Sequence, residues 1–238
     1  MQTFHKRNAD RLHRQDAWKK SWYAFFPHQT YFGKLTGFSE DIVDGGQGFG
    51  MHPHQDMEIV TIPLYGAQRH QDSTGSSHVI DAGSVQVMSA GRGIHHSEVN
   101  ASPAEPFRSF QIWVMPREKG LVPRHEVFRF TPGDKRNRVL TVLSPDRREG
   151  SALIHQNAFF SLSHLEAGHE LAYALHAPGN GVYVHVANGE VTGEVTAGTQ
   201  RLTAGDALAL WETERISLKA GADADLIFVE VPVDAVRF

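Results

Sequence analysis

The chain has 238 residues, of which 40% are hydrophobic and 21% are charged, as is ordinary for a soluble globular protein. Its formal net charge of −4 and its pI of about 6.4 argue against a broad basic surface for nucleic acid. The sequence contains no cysteine, which excludes disulfides, thiolate nucleophiles and cysteine-ligated zinc, so any metal must be held by imidazole or oxygen ligands.

The beginning of the chain predicts neither export nor membrane insertion. Residues 1–20 lack the apolar core of a secretory signal, and no stretch of about 18 apolar residues occurs anywhere. We therefore expect a cytoplasmic protein that makes no membrane contact. The segment RNADRLHRQDAW contains good helix formers, so short helical turns are predicted near residues 9–20.

Beyond residue 55 the chain is a succession of short segments, many of them rich in β-branched and aromatic residues. Examples are DMEIVTIPLYG, HVIDAGSVQVMSAG, SFQIWVM, VLTVLS, GVYVHVANG and ADLIFVEVP. Turn residues separate these segments at short intervals, which is typical of an antiparallel sandwich or barrel. The sequence therefore predicts an all-β fold.

The first candidate site is the run HPHQDMEIVTI, which places His52, His54, Asp56 and Glu58 at alternate positions. If this run is one strand, all four side chains point to the same face. Two imidazoles two residues apart on a strand can converge on one ion. Phe49, just before the run, is expected to supply an apolar wall.

A second candidate motif, AGRGIHHSE, places His96 and Glu98 on one face of a predicted strand and His95 on the other. If the two strands pair across a small barrel, His52, His54, His96 and Glu98 converge. Three neutral imidazoles and one carboxylate suit Fe, Mn, Co, Ni, Cu or Zn. The alternative is that these are polar strand residues facing solvent, and the presence of two such motifs favours metal binding over it.

The chain is predicted to divide into two domains. Residues 116–138 hold three prolines, two glycines and many charges, so they are expected to link the halves. We place the boundary near residue 130, which gives an N-terminal domain of residues 1–130 and a C-terminal domain of residues 131–238. The last strands of one domain are free to cross to the other.

Glycine spacing indicates that the two halves repeat one another. Gly66 and Gly75 are nine residues apart, and so are Gly189 and Gly198. The next glycine before a strand follows after eight residues in the first half and seven in the second. Matching turn glycines predict the same hairpins built twice. Chance is the alternative, since 22 glycines are available.

The repeat offers an internal comparison for the candidate ligands. Counting from the matching glycines, the second half has Leu175 and Ala177 where the first has its HPH pair, with His176 close by. Leu218 and Ala220 stand where the first half has its second motif. We therefore predict one metal-binding domain and one metal-free domain.

Residues 45–116 closely resemble the pirin family. The resemblance is carried by GQGFGMHPHQDMEIVTIPLYG, by HQDSTGSSHVIDAGSVQVMSAGRGIHHSE and by FQIWVMP, and it continues more weakly to the C-terminus. It is nearest to the bacterial pirin-like proteins described as quercetin 2,3-dioxygenases. The resemblance implies two cupin barrels, or double-stranded β-helices, per chain, with one divalent transition metal in the N-terminal barrel.

The family's metal ligands map onto His52, His54, His96 and Glu98, and iron is the metal that we most expect. Glu58 stands where many other cupins have a carboxylate ligand, so we expect it to support the ligands or to act as a reserve ligand. His70 and His95 lie near the motifs but match no family ligand. They are expected to be ordinary polar residues.

One segment departs from the family pattern. Where the family usually has an SF-x-x-YYDP-type sequence before the first barrel strand, this chain has the shortened and altered AFFPHQTYFGKL, residues 24–35. The segment lies close in sequence to the HPH motif. We therefore expect the altered segment to affect the substrate preference and to leave the predicted metal site unchanged.

The resemblance implies a dioxygenase that opens the central ring of flavonols such as quercetin, with dioxygen as co-substrate. Glu98 would accept the flavonol's hydroxyl proton, and Phe49 is the candidate contact for the aromatic substrate. The alternative is a metal- or redox-dependent regulator that binds a transcription-associated protein partner, with no direct contact to nucleic acid. A third reading is a metal-binding module with another small-molecule activity, because cupin folds host many functions.

Overall fold

The computed structural model of the chain describes residues 1–195 and 198–238, and it consists almost entirely of strands. The strands of the first 130 residues are β1 (Gln2–Lys6), β2 (Leu12–Gln15), β3 (Lys19–Phe25), β4 (Tyr31–Phe32), β5 (Leu35–Val43), β6 (Gly48–His54), β7 (Glu58–Tyr65), β8 (Ala67–Asp72), β9 (Ser77–Asp81), β10 (Ser84–Ser89), β11 (Ile94–Asn100), β12 (Phe107–Val114) and β13 (Arg124–Arg129). The later strands are β14 (Leu140–Ser144), β15 (Ala152–Leu153), β16 (Phe159–Leu165), β17 (Glu170–Ala174), β18 (Asn180–Val195), β19 (Gly198–Thr203), β20 (Ala207–Trp211), β21 (Arg215–Pro232) and β22 (Val236–Arg237). Short 3₁₀ helices cover Asn8–Asp10, Pro132–Lys135 and Arg148–Gly150. The predicted all-β class is confirmed.

The helical turns predicted near residues 9–20 are wrong beyond Asp10. A 3₁₀ turn covers Asn8–Asp10, after which β2 and β3 form an antiparallel hairpin with Leu12 opposite Tyr23. The pairing of β3 with β5 ties this hairpin into a larger sheet, so tertiary contacts override the local helix propensity. Within the described part of the chain, no helix is both long and apolar enough to cross a membrane.

The N-terminal half is a barrel made of two sheets. The central sheet runs in the order β13-β10-β7-β12-β5-β3-β2, with β4 and β22 attached beside β5. The outer sheet runs β6-β11-β8-β9. Contacts between inward-facing side chains join the two sheets, among them the ring of His54 on β6 with that of Trp113 on β12. The interior between these sheets is where both sequence motifs meet.

The C-terminal half is built from one large sheet that runs β1-β20-β18-β21-β16-β14-β15, with β17 and β19 attached to its long strands. Its interior is a cluster of buried apolar side chains that includes Leu208, Leu218, Leu226 and Phe228. Val182, Val184 and Val186 of β18 point into this cluster and Tyr183 points away from it, because successive side chains of a strand face opposite sides.

The two halves pack face to face. The back of the central sheet contributes Phe38, Val60 and Phe110 to a core that also holds Tyr183 and Val229 of the C-terminal sheet. Fully burying one such apolar side chain stabilises the fold by roughly 1.5–3 kcal/mol. This shared core packs the N-terminal barrel against its neighbour and leaves the other face of the central sheet free to carry polar residues.

The chain ends cross between the halves. β1 pairs with β20 of the C-terminal sheet, and β22 pairs with β4 of the central sheet. The predicted linker, residues 116–138, contains β13, which pairs with β10 and completes the central sheet. The division at residue 130 stays a prediction. Each terminal strand pairs with a sheet of the opposite half, β1 with the C-terminal sheet and β22 with the central sheet.

Candidate metal centre

Strand pairing brings the two sequence motifs together. β6 and β11 are antiparallel, with His52 directly opposite His96 and His54 opposite Ile94. Residues directly opposite each other on neighbouring strands share a face, as do residues two apart on one strand. His52, His54 and His96 therefore lie on one face of the outer sheet. The exposed His95 lies on the other face, as the sequence predicts.

A glycine allows the close approach of these two strands. An added Cβ on Gly48 would lie 2.2 Å from the carbonyl oxygen of Glu98, which is far inside van der Waals contact. The pairing of β6 and β11 shifts register between His96 and Glu98, so the strands are irregular at the point where the second motif meets the first. Gly48 thus permits the close backbone approach that places the second motif beside the first.

The three imidazoles form a compact group. The ring centroids of His52 and His54 are 4.9 Å apart, those of His52 and His96 4.3 Å, and those of His54 and His96 4.9 Å. One ligating nitrogen from each lies within 4.8 Å of the others. An ion bonded to all three at about 2.0–2.1 Å would hold these nitrogens roughly 3–4 Å apart. The arrangement therefore needs only small side-chain rotations to bind a metal.

The protonation states suit metal binding. The Nδ1–H of His52 donates to the carbonyl of Gly50 at 2.8 Å, which leaves Nε2 with a free lone pair. Burial, helped by the nearby His52, lowers the pKa of His54 to about 4 and that of His96 to about 2. Imidazoles that stay neutral at physiological pH are available as ligands.

His96 gives the strongest sign that the site fits a metal. Its side chain is 1% exposed, and neither of its ring nitrogens has a hydrogen-bond partner within the described residues. A buried polar atom without a partner costs about 1–3 kcal/mol. A bound cation removes that cost by taking one nitrogen as a ligand, so the donor set fits a transition metal.

Glu98 lies beside this group but is held differently. Its Oε1 accepts a hydrogen bond from the amide of Gln68 at 2.9 Å, and its Oε2 accepts one from the amide of Gln111 at 2.8 Å. A carboxylate oxygen of Glu98 and one ring nitrogen each of His70 and His96 lie within 4.8 Å of one another and form a second triad. The first triad consists of His52, His54 and His96. His96 is thus common to both triads. The assignment of His52, His54, His96 and Glu98 as one ligand set stays a prediction.

His70, which the sequence predicts to be an ordinary polar residue, lies in the second candidate group with His96 and Glu98. It is fully buried, and its Nε2–H donates to Asp72 at 3.0 Å. Burial alone would raise the pKa of Asp72, but hydrogen bonds from Thr74, His70 and Ser76 outweigh it and lower the pKa to about 2. The alternating H-x-D pattern in this short strand was the available signal. Only the pairing of β8 with β11 brings His70 next to His96.

The expectation that HPHQDMEIVTI is a single strand is wrong. β6 ends at His54 and β7 begins at Glu58 in a different sheet. Between them Asp56 adopts a left-handed conformation, with φ of +49°, and its backbone N–H donates to Gly91. The chain therefore turns a corner at Asp56, and the alternation that begins at His52 does not continue to Glu58.

Glu58 is buried on the side of the central sheet that meets the C-terminal half. Its Oε2 accepts hydrogen bonds from the Ser89 hydroxyl at 2.9 Å and from the backbone N–H of His155 at 3.1 Å. Burial raises its pKa to about 7 in spite of these donors and of Arg124. It belongs to neither candidate metal group. Its expected role as a supporting or reserve ligand stays a prediction.

A cleft opens beside the imidazoles. We name it the aromatic cleft and define it by Tyr23, Phe26, Phe49 and Trp113, with Arg14 and Lys19 also on its wall. Its volume is about 240 Å³. The Phe49 ring lies 6.2 Å from that of His52, and the Trp113 ring lies 5.3 Å from that of His54. Phe49, the predicted substrate contact, is therefore well placed for that role.

The C-terminal positions that the repeat aligns with the ligands lie in an apolar environment. Leu218 and Ala220 are buried in the core of that half, and Leu175 packs against it. Both candidate metal groups found within the described residues belong to the N-terminal half. A metal-free C-terminal barrel stays a prediction.

Comparisons with known proteins match both halves. The family model described as pirin matches residues 5–114, and the one described as the quercetinase C-terminal cupin domain matches residues 141–231. A protein of Escherichia coli K12 named quercetin 2,3-dioxygenase is 38% identical over 94% of this chain and 96% of its own length. A pirin-like protein of Caulobacter vibrioides is 36% identical over 86% of each chain.

Solved structures agree with these matches. The bacterial pirin YhhW of Escherichia coli in complex with nickel(II) has a TM-score of 0.88 at 34% identity, covering 98% of this chain and 100% of that chain. Another structure of YhhW has a TM-score of 0.90 at 35% identity, covering 99% and 100%. Two cupin barrels are thus confirmed as the architecture. By its sequence along nearly the whole length and by its fold, this chain belongs to the pirin family.

Proposed function

We propose that this chain is a metal-dependent dioxygenase that opens the central ring of flavonols such as quercetin. The observation that carries the proposal is the group of three imidazoles, the buried His96 and the half-buried His52 and His54, with Glu98 at its edge, beside the aromatic cleft. The name of the Escherichia coli relative, quercetin 2,3-dioxygenase, supports the choice of reaction. The proposed substrates are a flavonol and dioxygen.

The proposed ligands are His52, His54, His96 and Glu98. Three neutral imidazoles and one carboxylate leave a divalent ion with a net positive charge and, in a metal that prefers five or six ligands, with open positions. An ion bound there supplies a Lewis acid that stabilises the anion of the flavonol's 3-hydroxyl. Iron is our proposed native metal, on family resemblance, and the solved nickel complex of YhhW supports a divalent transition metal in general.

The chain's own residues contribute proton transfer and orientation. The carboxylate of Glu98, held on both oxygens by Gln68 and Gln111, accepts the proton of the flavonol's 3-hydroxyl. Phe49 and Trp113 bind the flat rings and exclude water from the reacting face. Dioxygen then adds across the central ring, which opens with release of carbon monoxide.

The test begins with protein purified without a nickel-affinity step. Elemental analysis of this protein and an oxygen-uptake assay with quercetin are made on the same sample. We expect about one divalent metal per chain and stoichiometric consumption of oxygen and quercetin. A fully metal-loaded sample that consumes no oxygen with quercetin or other flavonols contradicts the proposed reaction.

Variants separate the roles of the ligands. His52→Ala and His96→Ala are expected to lose the metal while remaining folded, whereas His95→Ala, on the exposed face of the same strand, keeps it. Glu98→Gln is expected to keep much of the metal but to lower turnover by about 10²–10⁴-fold, the range for a lost general base. Equal metal content in wild type and His96→Ala disproves the ligand assignment. Unchanged turnover in Glu98→Gln disproves the proton-acceptor role.

A further inference from the structure

The aromatic cleft lies beside the candidate metal centre, because Phe49, Gln111 and Trp113 of its lining contact His52, Glu98 and His54. Its inner wall includes Phe49, Gln111 and Trp113, and Gln111 donates a hydrogen bond to Glu98. A volume of about 240 Å³ is comparable to that of one flat, three-ring molecule and leaves little room for a larger one. The inner end of the cleft is therefore the place for a reacting ring, and the opposite end must accept the rest of the molecule.

Two cations stand on the cleft wall that the β2–β3 hairpin forms. Arg14 is directly opposite Ser21 in this hairpin, so both face the same side, together with Lys19 and Tyr23. The guanidinium of Arg14 lies 4.6 Å from the ring centroid of Phe26. The ammonium of Lys19 lies 4.8 Å from that of Phe49. Each cation thus stands over an aromatic surface that a planar ligand would also contact.

Neither cation has an acidic partner at ion-pair distance among the described residues. This differs from the nearby Arg11, which is paired with Glu40 at 2.9 Å. Asp41 is the one acidic residue among the described cleft-lining side chains. Hydroxyls of Ser21 and Ser39 donate to it, and burial raises its pKa against the opposing influence of these serines and Lys19. Two cations facing one buried carboxyl give the cleft a net positive charge.

The departure of residues 24–35 from the family pattern falls on this cleft. Phe25, Phe26 and Pro27, which belong to that segment, line it. The altered segment therefore shapes the wall over which Arg14 stands. The segment and the two cations without acidic partners therefore meet at the same place in the cleft.

We propose that the aromatic cleft selects flat aromatic ligands that carry an anionic group on a pendant ring, with Arg14 and Lys19 binding that group. The inference rests on the proposed function, because the flavonol's 3-hydroxyl end must face the imidazoles. The substrate class is a flavonol whose pendant ring bears a strongly acidic substituent. The two cations act on the anionic group and take no part in ring opening.

The experiment compares two probes, quercetin and quercetin 5′-sulfonate, which differ by one anionic group on the pendant ring. Binding to the metal-loaded protein is followed by quenching of tryptophan fluorescence without oxygen, so that neither probe is consumed. Two charge-assisted contacts are expected to make the sulfonate bind about tenfold more tightly. This preference should weaken as salt concentration rises.

Arg14→Met/Lys19→Met is expected to remove the preference, so that the two probes bind with equal affinity, and an unchanged metal content shows that the barrel is still folded. The matched control is Lys20→Met, which removes an exposed cation that faces away from the cleft on the same strand and should keep the preference. Equal affinity of wild type for both probes, or a preference that survives the double variant, overturns the inference. If the sulfonate preference depends on both cations but the protein does not turn over flavonols, the cleft assignment is supported. In that case only the proposed reaction is contradicted.

Discussion

The two barrels of this chain share a fold but differ in what fills them. The C-terminal interior is packed with Leu208, Leu218, Leu226 and Phe228, side chains that stabilise by leaving water. Such a core is stable without a bound ion or ligand, because its apolar side chains contact one another. Its expected contribution is to stability.

The N-terminal interior holds buried polar side chains beside a small apolar cluster. The side chains of Thr61, Gln86, His70 and His96 each have at least one buried nitrogen or oxygen without a hydrogen-bond partner within the described residues. Such groups lower stability unless an ion, a ligand or ordered water binds them. Under the proposed function, the N-terminal barrel is specialised for binding while the C-terminal barrel, packed against its back, supports it.

The largest effect that we predict concerns the apolar barrel. Phe228 is fully buried and stacks on Tyr173, with ring centroids 4.8 Å apart. Phe228→Ala is expected to lower the free energy of unfolding by about 3–5 kcal/mol, because it removes a large apolar side chain and leaves a cavity. Denaturant unfolding measures this loss, and a metal titration of the folded variant should match wild type. A metal affinity that falls with stability would show that the barrels are not specialised in this way.

The two halves also differ in their buried carboxyl groups. Glu230 in the C-terminal half is bonded by the side chains of Tyr173, His176 and Asn180 and by backbone N–H groups. Burial alone would raise its pKa, but these bonds, with His176 first, outweigh it and lower the pKa. Glu58 in the N-terminal half has two donors, and its pKa is raised to about 7.

This difference predicts a pH dependence of stability with a definite sign. Because the folded-state pKa of Glu58 lies above its ordinary value of 4.5, the folded protein holds the proton more tightly than the unfolded chain. The stability that this provides is complete below about pH 4.5 and is lost as pH rises to about 7, a change of about 3 kcal/mol.

Glu58→Gln is expected to flatten the profile over this range and to make the protein more stable than wild type at pH 8. Urea unfolding at several pH values measures both effects. The lowered pKa of Glu230 acts in the opposite direction, with stability lost as pH falls. If the free energy of unfolding depends on pH in the same way in wild type and Glu58→Gln between pH 4.5 and 7, the raised pKa of Glu58 is refuted.

A smaller effect is predicted for the amide that positions the candidate carboxylate ligand. Gln111→Leu removes a donor to Glu98 and is expected to weaken metal binding by about 10–100-fold, the usual effect of losing a partner that orients a ligand. The matched variant is Asn180→Leu, which removes a donor to Glu230 in the other half. It should lower stability and leave metal affinity unchanged. Competition with a metal-binding dye measures both, and equal losses of affinity would refute the assignment.

Local patterns predicted the parts of this molecule that depend on local chemistry. Alternating segments and turn glycines predicted the all-β class, and spacing on single strands predicted that His52 and His54 share a face. The helical turns near residues 9–20 were wrong because β3 and β5 recruit that segment into a sheet. The continuous strand from His52 to Glu58 was wrong because Asp56 takes a left-handed conformation that the sequence pattern does not reveal.

Long-range pairing accounts for what the sequence could not show. His70 joins His96 only because β8 lies beside β11, and the pairing of β1 with β20 spans almost the whole chain. The place of Arg14 in the aromatic cleft likewise depends on a hairpin that was expected to be helical. Such contacts follow from sheet order, which spacing along one strand does not determine.

The most direct test of the account is a crystal structure of the metal-loaded protein, with anomalous diffraction at the metal's absorption edge. We predict one strong peak in the N-terminal barrel, bonded at about 2.0–2.2 Å to His52, His54, His96 and a Glu98 oxygen. Its height should fall to background in crystals of His96→Ala. A peak bonded to His70 and Glu98 without His52 and His54, or one in the C-terminal barrel, would contradict the account.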